Sequence, residues 1–185
     1  MQTNPLGNTT KCDDALNSGV EIRDEAARDS DAIGLVTQLA FMHAAHSSRT
    51  EQFIIAALRR SEQLTVSLVA THGDELIGHV AVSPVSLSEG EAGWHGLGPL
   101  SVHPRWQGRG VGSALVQAAL ERLRQRQSRG CVVLGDPGYY ARFGFMAWPR
   151  LSLPGVPEGF FRALPFGPDI PSGQVSYHAA FSATA

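Results

Sequence analysis

The stretch from Leu97 to Leu123 constrains this chain more than any other. It begins as an apolar run, Leu97 to Val102, which reads as a strand that Pro104 stops. A glycine-rich turn follows, Gln107-Gly108-Arg109-Gly110-Val111-Gly112. Apolar residues then recur at Val111, Leu115, Ala119, Leu120 and Leu123, the spacing of an amphipathic helix. A strand, a glycine turn and a helix together make an anion-binding device. The N–H groups of the first helical turn lack intrahelical partners, and the aligned peptide dipoles make that end positive. Glycine lets the backbone approach a phosphate closely. The turn is not a P-loop, because no Gly-Lys-Ser/Thr closes it. Nor is Gly108-x-Gly110-x-Gly112 the G-x-G-x-x-G of a dinucleotide-binding unit.

The rest of the chain fits one soluble domain. Its 185 residues suffice for a core, and 43% hydrophobic with 17% charged residues is ordinary for a globular protein. The net charge of −2 gives no nucleic-acid footprint. Arg122, Arg124, Arg126 and Arg129 cluster where the helix ends, where positive charge suits the dipole; some could reach an adenosine phosphate. Cys12 and Cys131 make no disulfide framework and fit a reducing cytoplasm. No apolar run suggests a signal peptide or a membrane span. His43 and His46, three apart, have no third metal ligand nearby and read as a polar helix end.

Taken in order, residues 1–19 read as a flexible tail and 20–185 as the domain. Val20 to Arg23 reads as a first strand. Asp29-Ser30-Asp31 offers caps for a helix with apolar residues at Ile33, Val36, Leu39, Ala40 and Met42. A second helix is expected from Ser48, with Glu51 closing a capping box, to about Arg60. Leu64–Thr71 and Leu76–Leu87 read as an antiparallel hairpin around Gly73-Asp74. Trp94 leads into the strand ending at Val102. There Gly96, Gly98 and Pro99 predict a bulge or splayed edge. Gly130 is expected to end the long helix, and Cys131–Leu134 to be a buried parallel strand. Asp136 and Pro137 start a short helix holding Tyr139, Tyr140, Arg142 and Phe143. A strand is expected from Gly144-Phe145 to about Leu153, an ordered loop with a helical turn around Glu158 to Leu164, and a last strand from Val175 to Phe181.

Two motifs carry a resemblance. The pattern Gln107-x-x-Gly110-x-Gly112 after Val102-His103-Pro104 resembles the acetyl-CoA signature of the GNAT superfamily of N-acetyltransferases. Tyr140-Ala141-Arg142-Phe143-Gly144-Phe145 is similar to that superfamily's Tyr-x-x-x-Gly-Phe element. The segment GYYARFGF and the Pro-rich ending look like its bacterial YhbS-like branch, and the resemblance runs from about Val20 to the C-terminus. It implies an α/β fold whose mixed, mostly antiparallel sheet is splayed at its centre and flanked by helices. It implies acetyl-CoA as co-substrate, no metal, and an amine on a small molecule or peptide as acceptor. The segment 42–50 and the region 154–173 would line the acceptor site. No nucleic-acid or membrane partner is implied, and the apolar C-terminal region is a candidate face for a homodimer.

Site residues follow from the same resemblance. Main-chain groups of Leu100, Ser101 and Val102 would pair with the pantetheine arm. Gln107, Gly108, Arg109, Gly110, Val111, Gly112 and Ser113 would cradle the pyrophosphate, with Phe143 added to the cofactor set. Tyr140 would protonate the departing thiolate, which suits a hydroxyl of ordinary pKa near 10. Many members carry an asparagine ahead of this helix; here the segment is Gly135-Asp136-Pro137-Gly138, so that contact is not carried over. Relatives often place a glutamate base on the central strand, and residues 94–102 contain no acid. His95 and Glu91 are the candidates, with a water chain or a carbonyl as the other route. Direct attack in a ternary complex is the implied reaction. A module that holds CoA without catalysis, or an enzyme using a longer acyl donor or a non-amine acceptor, are the alternatives; Phe residues between 160 and 166 could line a larger pocket.

Overall fold

The computed structural model describes residues 19–42, 49–157, 159–168 and 172–185. Among the described residues eight strands form: β1 (Val20–Asp24), β2 (Val66–His72), β3 (Glu75–Leu87), β4 (Trp94–Val102), β5 (Gly130–Leu134), β6 (Leu151–Ser152), β7 (Phe161–Pro165) and β8 (Gly173–Tyr177). Four helices accompany them: α1 (Ser30–Phe41), α2 (Glu51–Arg60), α3 (Val111–Gln125) and α4 (Pro137–Ala141). The main path runs β1-β2-β3-β4-β5-β7. Every neighbouring pair on it is antiparallel except β4 and β5, which α3 joins as a crossover. β8 pairs with Val85–Leu87 at the far end of β3, and β6 lies parallel beside β8.

Both faces of the sheet are covered. Val66, Leu68 and Ala70 of β2 face the main core, while Val69 is buried on the other side with Ile33, Ile55 and Ala81. α3 closes the main core with Val111, Leu115, Val116, Ala119, Leu120 and Leu123, all buried. Each such side chain contributes about 1.5–3 kcal/mol on burial, so the apolar stripe of α3 fixes its position.

The sheet opens at its centre for a local reason. Val80 pairs with Leu100 but Val82 with Leu97, so β4 carries one extra residue there, at Gly98-Pro99. On the other edge, β4 and β5 pair only from Trp94–Gly130 to Leu97–Val133. Beyond Leu97 the two strands part, and no described strand fills the gap.

Five expectations need correction. α3 ends at Gln125, not at Gly130. Gln127 takes the left-handed turn (φ 56°), and the Ser128 N–H donates to the Leu123 carbonyl at 3.0 Å. Gly130 instead begins β5, where a Cβ would lie 2.4 Å from the Trp94 ring. The segment expected to turn helically is β7, hydrogen-bonded to β5, which pulls Phe161 and Phe166 into the cores. Past Phe145 there is one bridge, Met146 to Ala163, and then only the short β6. β8 stops at Tyr177, and Ala179–Ser182 is a 3-10 turn. Asp29 does precede α1, yet its carboxylate accepts from the Ala26 N–H and from Arg23 rather than capping that helix. The positions of Cys12, His43, His46 and Ser48 lie outside the described residues.

Candidate active site

A cleft of about 370 Å3 lies where β4 and β5 part. Ala40 and Phe41 at the end of α1 form one wall, and Leu100 and Val102 of β4 form the floor. The glycine turn closes one end, and Tyr139 and Arg142 form the far wall.

The turn is built as an anion cradle. Gly108 and Gly110 have φ of 73° and 87°, a region where an L side chain costs about 1–2 kcal/mol. Gly110 is the residue that enters α3, and Val111 is buried in the main core, so its contribution is its backbone N–H. Gln107 fixes the turn to the strand: its Nε2 donates to the Val102 carbonyl at 3.0 Å. Arg109 stacks over Trp106 at 5.4 Å, and Trp106 leans on His72 at 4.7 Å. Arg142 supplies positive charge to the far wall. Its guanidinium lies 4.4 Å from the Tyr139 ring centre, and its Nε donates to the Tyr139 carbonyl at 3.2 Å. Unpaired N–H groups, space at Gly108 and this cation together fit a phosphate.

Ser101 does not line the cleft. Its side chain is buried and donates to Thr37 Oγ1 at 3.0 Å, tying β4 to α1 one turn from the cleft wall. Phe143 does not line the cleft; it backs Tyr139 at 5.6 Å.

α4 sets the two tyrosines apart. Asp136 accepts from the Tyr139 N–H at 2.6 Å, and Pro137 starts the helix as expected. Tyr139 lies on the cleft wall with its hydroxyl beside Gly112. Burial raises its phenol, and a hydrogen bond with Ser113 partly offsets that. Tyr140, expected as the proton donor, does not line the cleft: it is buried in the main core, its ring over Gly135, where a Cβ would lie 2.4 Å from Cε2, and edge-on to Phe145 at 5.8 Å. Burial first, then Tyr139 and Cys131, push its phenol up, so it stays protonated at neutral pH.

The structure brings neither base candidate to the cleft. Glu91 precedes β4 and sits 3.8 Å from Arg129, beside a smaller cavity at the other end of the sheet. His95 pairs with Cys131 in the closed part of the ladder, about 16 Å along the strand from Leu100. Burial lowers its pKa. The arginine run is equally remote: Arg124 is about 18 Å along α3 from Gly112. Arg122 pairs with Asp24 at 2.8 Å and Arg124 stacks on Phe166 at 4.8 Å.

Sequence reasoning missed Ala40, Phe41, Trp106, Tyr139 and Arg142 as cleft residues. Trp106 and Arg142 lie inside the two motifs and were within reach. No local pattern says where the end of α1 meets β4. Among the described residues, no group of three or more His, Cys, Asp or Glu could hold a metal ion. No described helix is long and apolar enough to cross a membrane.

Comparison with known proteins agrees with this geometry. The sequence profile of the acetyltransferase (GNAT) family matches residues 32–145. This chain belongs to the GNAT acetyltransferase family. The uncharacterized N-acetyltransferase YhbS of Escherichia coli K12 is 36% identical over 107 residues, 57% of this chain and 64% of that protein. The matched segment thus spans under two thirds of that curated relative. Solved structures cover more. A GNAT family acetyltransferase from Brucella melitensis, in complex with acetyl-CoA, is 46% identical, with a TM-score of 0.79 over 89% of this chain and 99% of that one. E. coli YhbS in complex with CoA is 30% identical, with a TM-score of 0.82 over 100% of this chain and 98% of that one. The mostly antiparallel, open sheet between helices is the GNAT fold.

Proposed function

We propose that this chain binds acetyl-CoA in the cleft between β4 and β5 and moves its acetyl group to an amine, with both substrates bound at once. The carrying observation is the parting of β4 from β5 after Leu97–Val133, with a glycine cradle at the end of the gap. The complexes of the Brucella protein with acetyl-CoA and of E. coli YhbS with CoA support the ligand. The bound co-substrate supplies an acyl group already activated as a thioester. Backbone N–H groups from Gly108 to Ser113 hold its pyrophosphate. Main-chain groups of the stretch from Leu100 to Val102, past the last β4–β5 pair, hold the pantetheine arm, with the Val102 carbonyl already taken by Gln107. Tyr140, protonated at neutral pH, gives the departing sulfur its proton. The amine loses its own proton to water, because neither His95 nor Glu91 reaches the gap. Most of the rate comes from holding the two reactants together. The acceptor is an amine of a small molecule or peptide.

A pocket for a longer acyl chain finds no support in Phe161 and Phe166, which pack into the cores. The test is a thermal-shift series with CoA, acetyl-CoA and longer acyl-CoAs, followed by an amine panel read by thiol release. At a hundred times its dissociation constant, acetyl-CoA stabilises by about 2.7 kcal/mol. No shift with CoA or acetyl-CoA would overturn the ligand, and binding without thiol release from any amine would overturn catalysis.

A further inference from the structure

Arg142 is the one arginine that lines the cleft among the described residues. Arg23, Arg59, Arg122 and Arg129 each pair with a carboxylate, and no described carboxylate pairs with Arg142. The side chain is held all the same. Its Nε donates to the Tyr139 carbonyl at 3.2 Å, and its guanidinium carbon lies 4.4 Å from the Tyr139 ring centre and 5.6 Å from that of Phe143. A guanidinium fixed through Nε and one face leaves Nη1 and Nη2 as a planar fork. Among the described residues that fork has no hydrogen-bond partner. An exposed long side chain loses rotamer freedom when it is clamped in this way, and no ion pair offsets the loss. What the clamp provides is a cationic fork already in place for a ligand.

Its place says which part of a ligand it meets, and the present inference rests on acetyl-CoA as the ligand of the cleft. The acyl end enters the gap between β4 and β5, so the nucleotide end stays at the mouth. Arg142 is exposed, at that mouth. Tyr139 spans from the cradle to the fork: its hydroxyl stands beside Gly112, and its ring face carries the guanidinium. The fork is thus one phenol ring from the turn. In CoA the 3′-phosphate is one ribose from the pyrophosphate, a step of similar size. Charge divides the two groups in the same way. The pyrophosphate carries one charge on each phosphorus, and the neutral N–H groups of the turn suit it. The 3′-phosphate is a monoester with a second pKa of about 6, close to a dianion at neutral pH. A dianion calls for a cation, and a planar fork meets two of its oxygens at once. Asp136, on the same helix, accepts from the Tyr139 N–H at 2.6 Å and forms no ion pair with Arg142.

We propose that Arg142 is a specificity-determining residue, which binds the ribose 3′-phosphate of CoA through Nη1 and Nη2 and so selects CoA thioesters over donors that lack this phosphate. Tyr139 and Phe143 are its positioning residues, Tyr139 by a hydrogen bond and a ring face, Phe143 by a ring face alone. No atom of Arg142 takes part in the acyl transfer. The contact is the same in the bound thioester and in the transition state, so it sets affinity for the donor and leaves kcat alone. Arg109 is a different case. It stacks over Trp106 at 5.4 Å and does not line the cleft.

The test is calorimetry with CoA and 3′-dephospho-CoA on the wild type, Arg142→Gln, Arg142→Lys and Arg109→Gln. The wild type should bind CoA about tenfold more tightly than 3′-dephospho-CoA. Arg142→Gln should bind both ligands as the wild type binds 3′-dephospho-CoA. Arg142→Lys keeps the charge and loses the fork, so it should recover part of the preference. Arg109→Gln should keep the ratio, whatever it does to both affinities. With any accepted amine, KM for acetyl-CoA should rise about tenfold in Arg142→Gln while kcat holds. The melting temperature without ligand should not move, because the side chain is exposed and pairs with no described carboxylate. Equal affinity of the wild type for the two ligands overturns the assignment. So does a preference that survives Arg142→Gln, or one that Arg109→Gln abolishes instead. A loss shared equally by both ligands in Arg142→Gln overturns it too, because the guanidinium then meets the pyrophosphate. If the wild type binds neither ligand, the acetyl-transfer reading falls and takes this one with it. If the wild type binds both alike, the Arg142 role falls alone.

Discussion

The hydroxyl of Tyr139 stands 2.9 Å from the point where a side chain on Gly112 would begin. One wall of the cleft is thereby set by the absence of an atom on the other. The same turn uses Gly110 differently, for its φ of 87° rather than for room. The two glycines should fail in different ways.

Gly110→Val should weaken CoA at least tenfold, because the chain must leave the left-handed region and the N–H groups turn with it. Gly112→Val keeps a helical backbone and should weaken CoA by pushing Tyr139 into the cleft. Tyr139→Ala should then restore part of the affinity to the Gly112 variant and none to the Gly110 variant. Calorimetry on the four proteins checks this, with circular dichroism to confirm the fold.

Acid should destabilise the protein in two stages. His79 is fully buried, its Nε2 2.8 Å from Ser67 Oγ and 3.6 Å from Glu25. Burial lowers its pKa, more than the Glu25 charge raises it. The unfolded chain then takes a proton that the folded chain refuses, so stability falls as pH drops below about 6.5. His79→Gln should flatten that stage in urea titrations between pH 7 and 5. The second stage belongs to carboxylates. The Arg23 hydrogen bond holds Asp29 down to about 2, against burial. Glu25 is held below the usual carboxylate range by His79, Arg59 and Ser67, which outweigh its burial. Groups depressed in the folded state stabilise above their unfolded pKa, so this part is lost as pH falls from about 4 towards 2. Asp29→Asn should cost about 1–2 kcal/mol at pH 7 and shrink the second stage.

Cys131 should not react in the native protein. It is fully buried, and burial pushes its thiol up. Labelling of the Cys131 peptide, read by mass spectrometry, should proceed only as fast as the chain opens. Fast labelling under native conditions would contradict the buried β5. The point matters for the assay, since thiol release is then a clean readout of CoA at this position.

Much of this was written in local sequence. Pro104, the glycine turn and the apolar spacing of α3 are decided within a few residues, and so are the Asp136 cap and Pro137. β7 was not legible. Phe161–Pro165 carries proline and glycine on both sides, and only its ladder to β5 makes it a strand. Gly130 misled because a helix stop and a close approach to Trp94 ask for the same residue. The candidate bases misled for a related cause. His95 and Glu91 were chosen for chemistry and nearness in sequence to the central strand, but the bulge and the short β4–β5 ladder decide which end of that strand is open.

The last prediction concerns the two tyrosines of α4. Each rests against a glycine: Tyr139 at Gly112 and Tyr140 at Gly135. Each to-Phe variant removes one hydroxyl and little volume, so the two are comparable. Tyr140→Phe should lower kcat about a hundredfold, because the departing sulfur loses its proton donor. Its CoA affinity should change little, since the phosphate contacts lie in the turn. Tyr139→Phe loses its bond with Ser113 at the turn. It should weaken CoA and acetyl-CoA alike by a few-fold and leave kcat near wild type. The leaving group separates Tyr140 further. An acyl donor whose thiol has a lower pKa needs less protonation as it departs, so the Tyr140→Phe defect should shrink with it, whereas a donor to the carbonyl oxygen would show no such rescue. If Tyr139→Phe loses kcat while Tyr140→Phe turns over normally, the proton comes from the cleft wall. If both are fully active with every donor, the sulfur takes its proton from water and the Tyr140 hydroxyl serves the core alone.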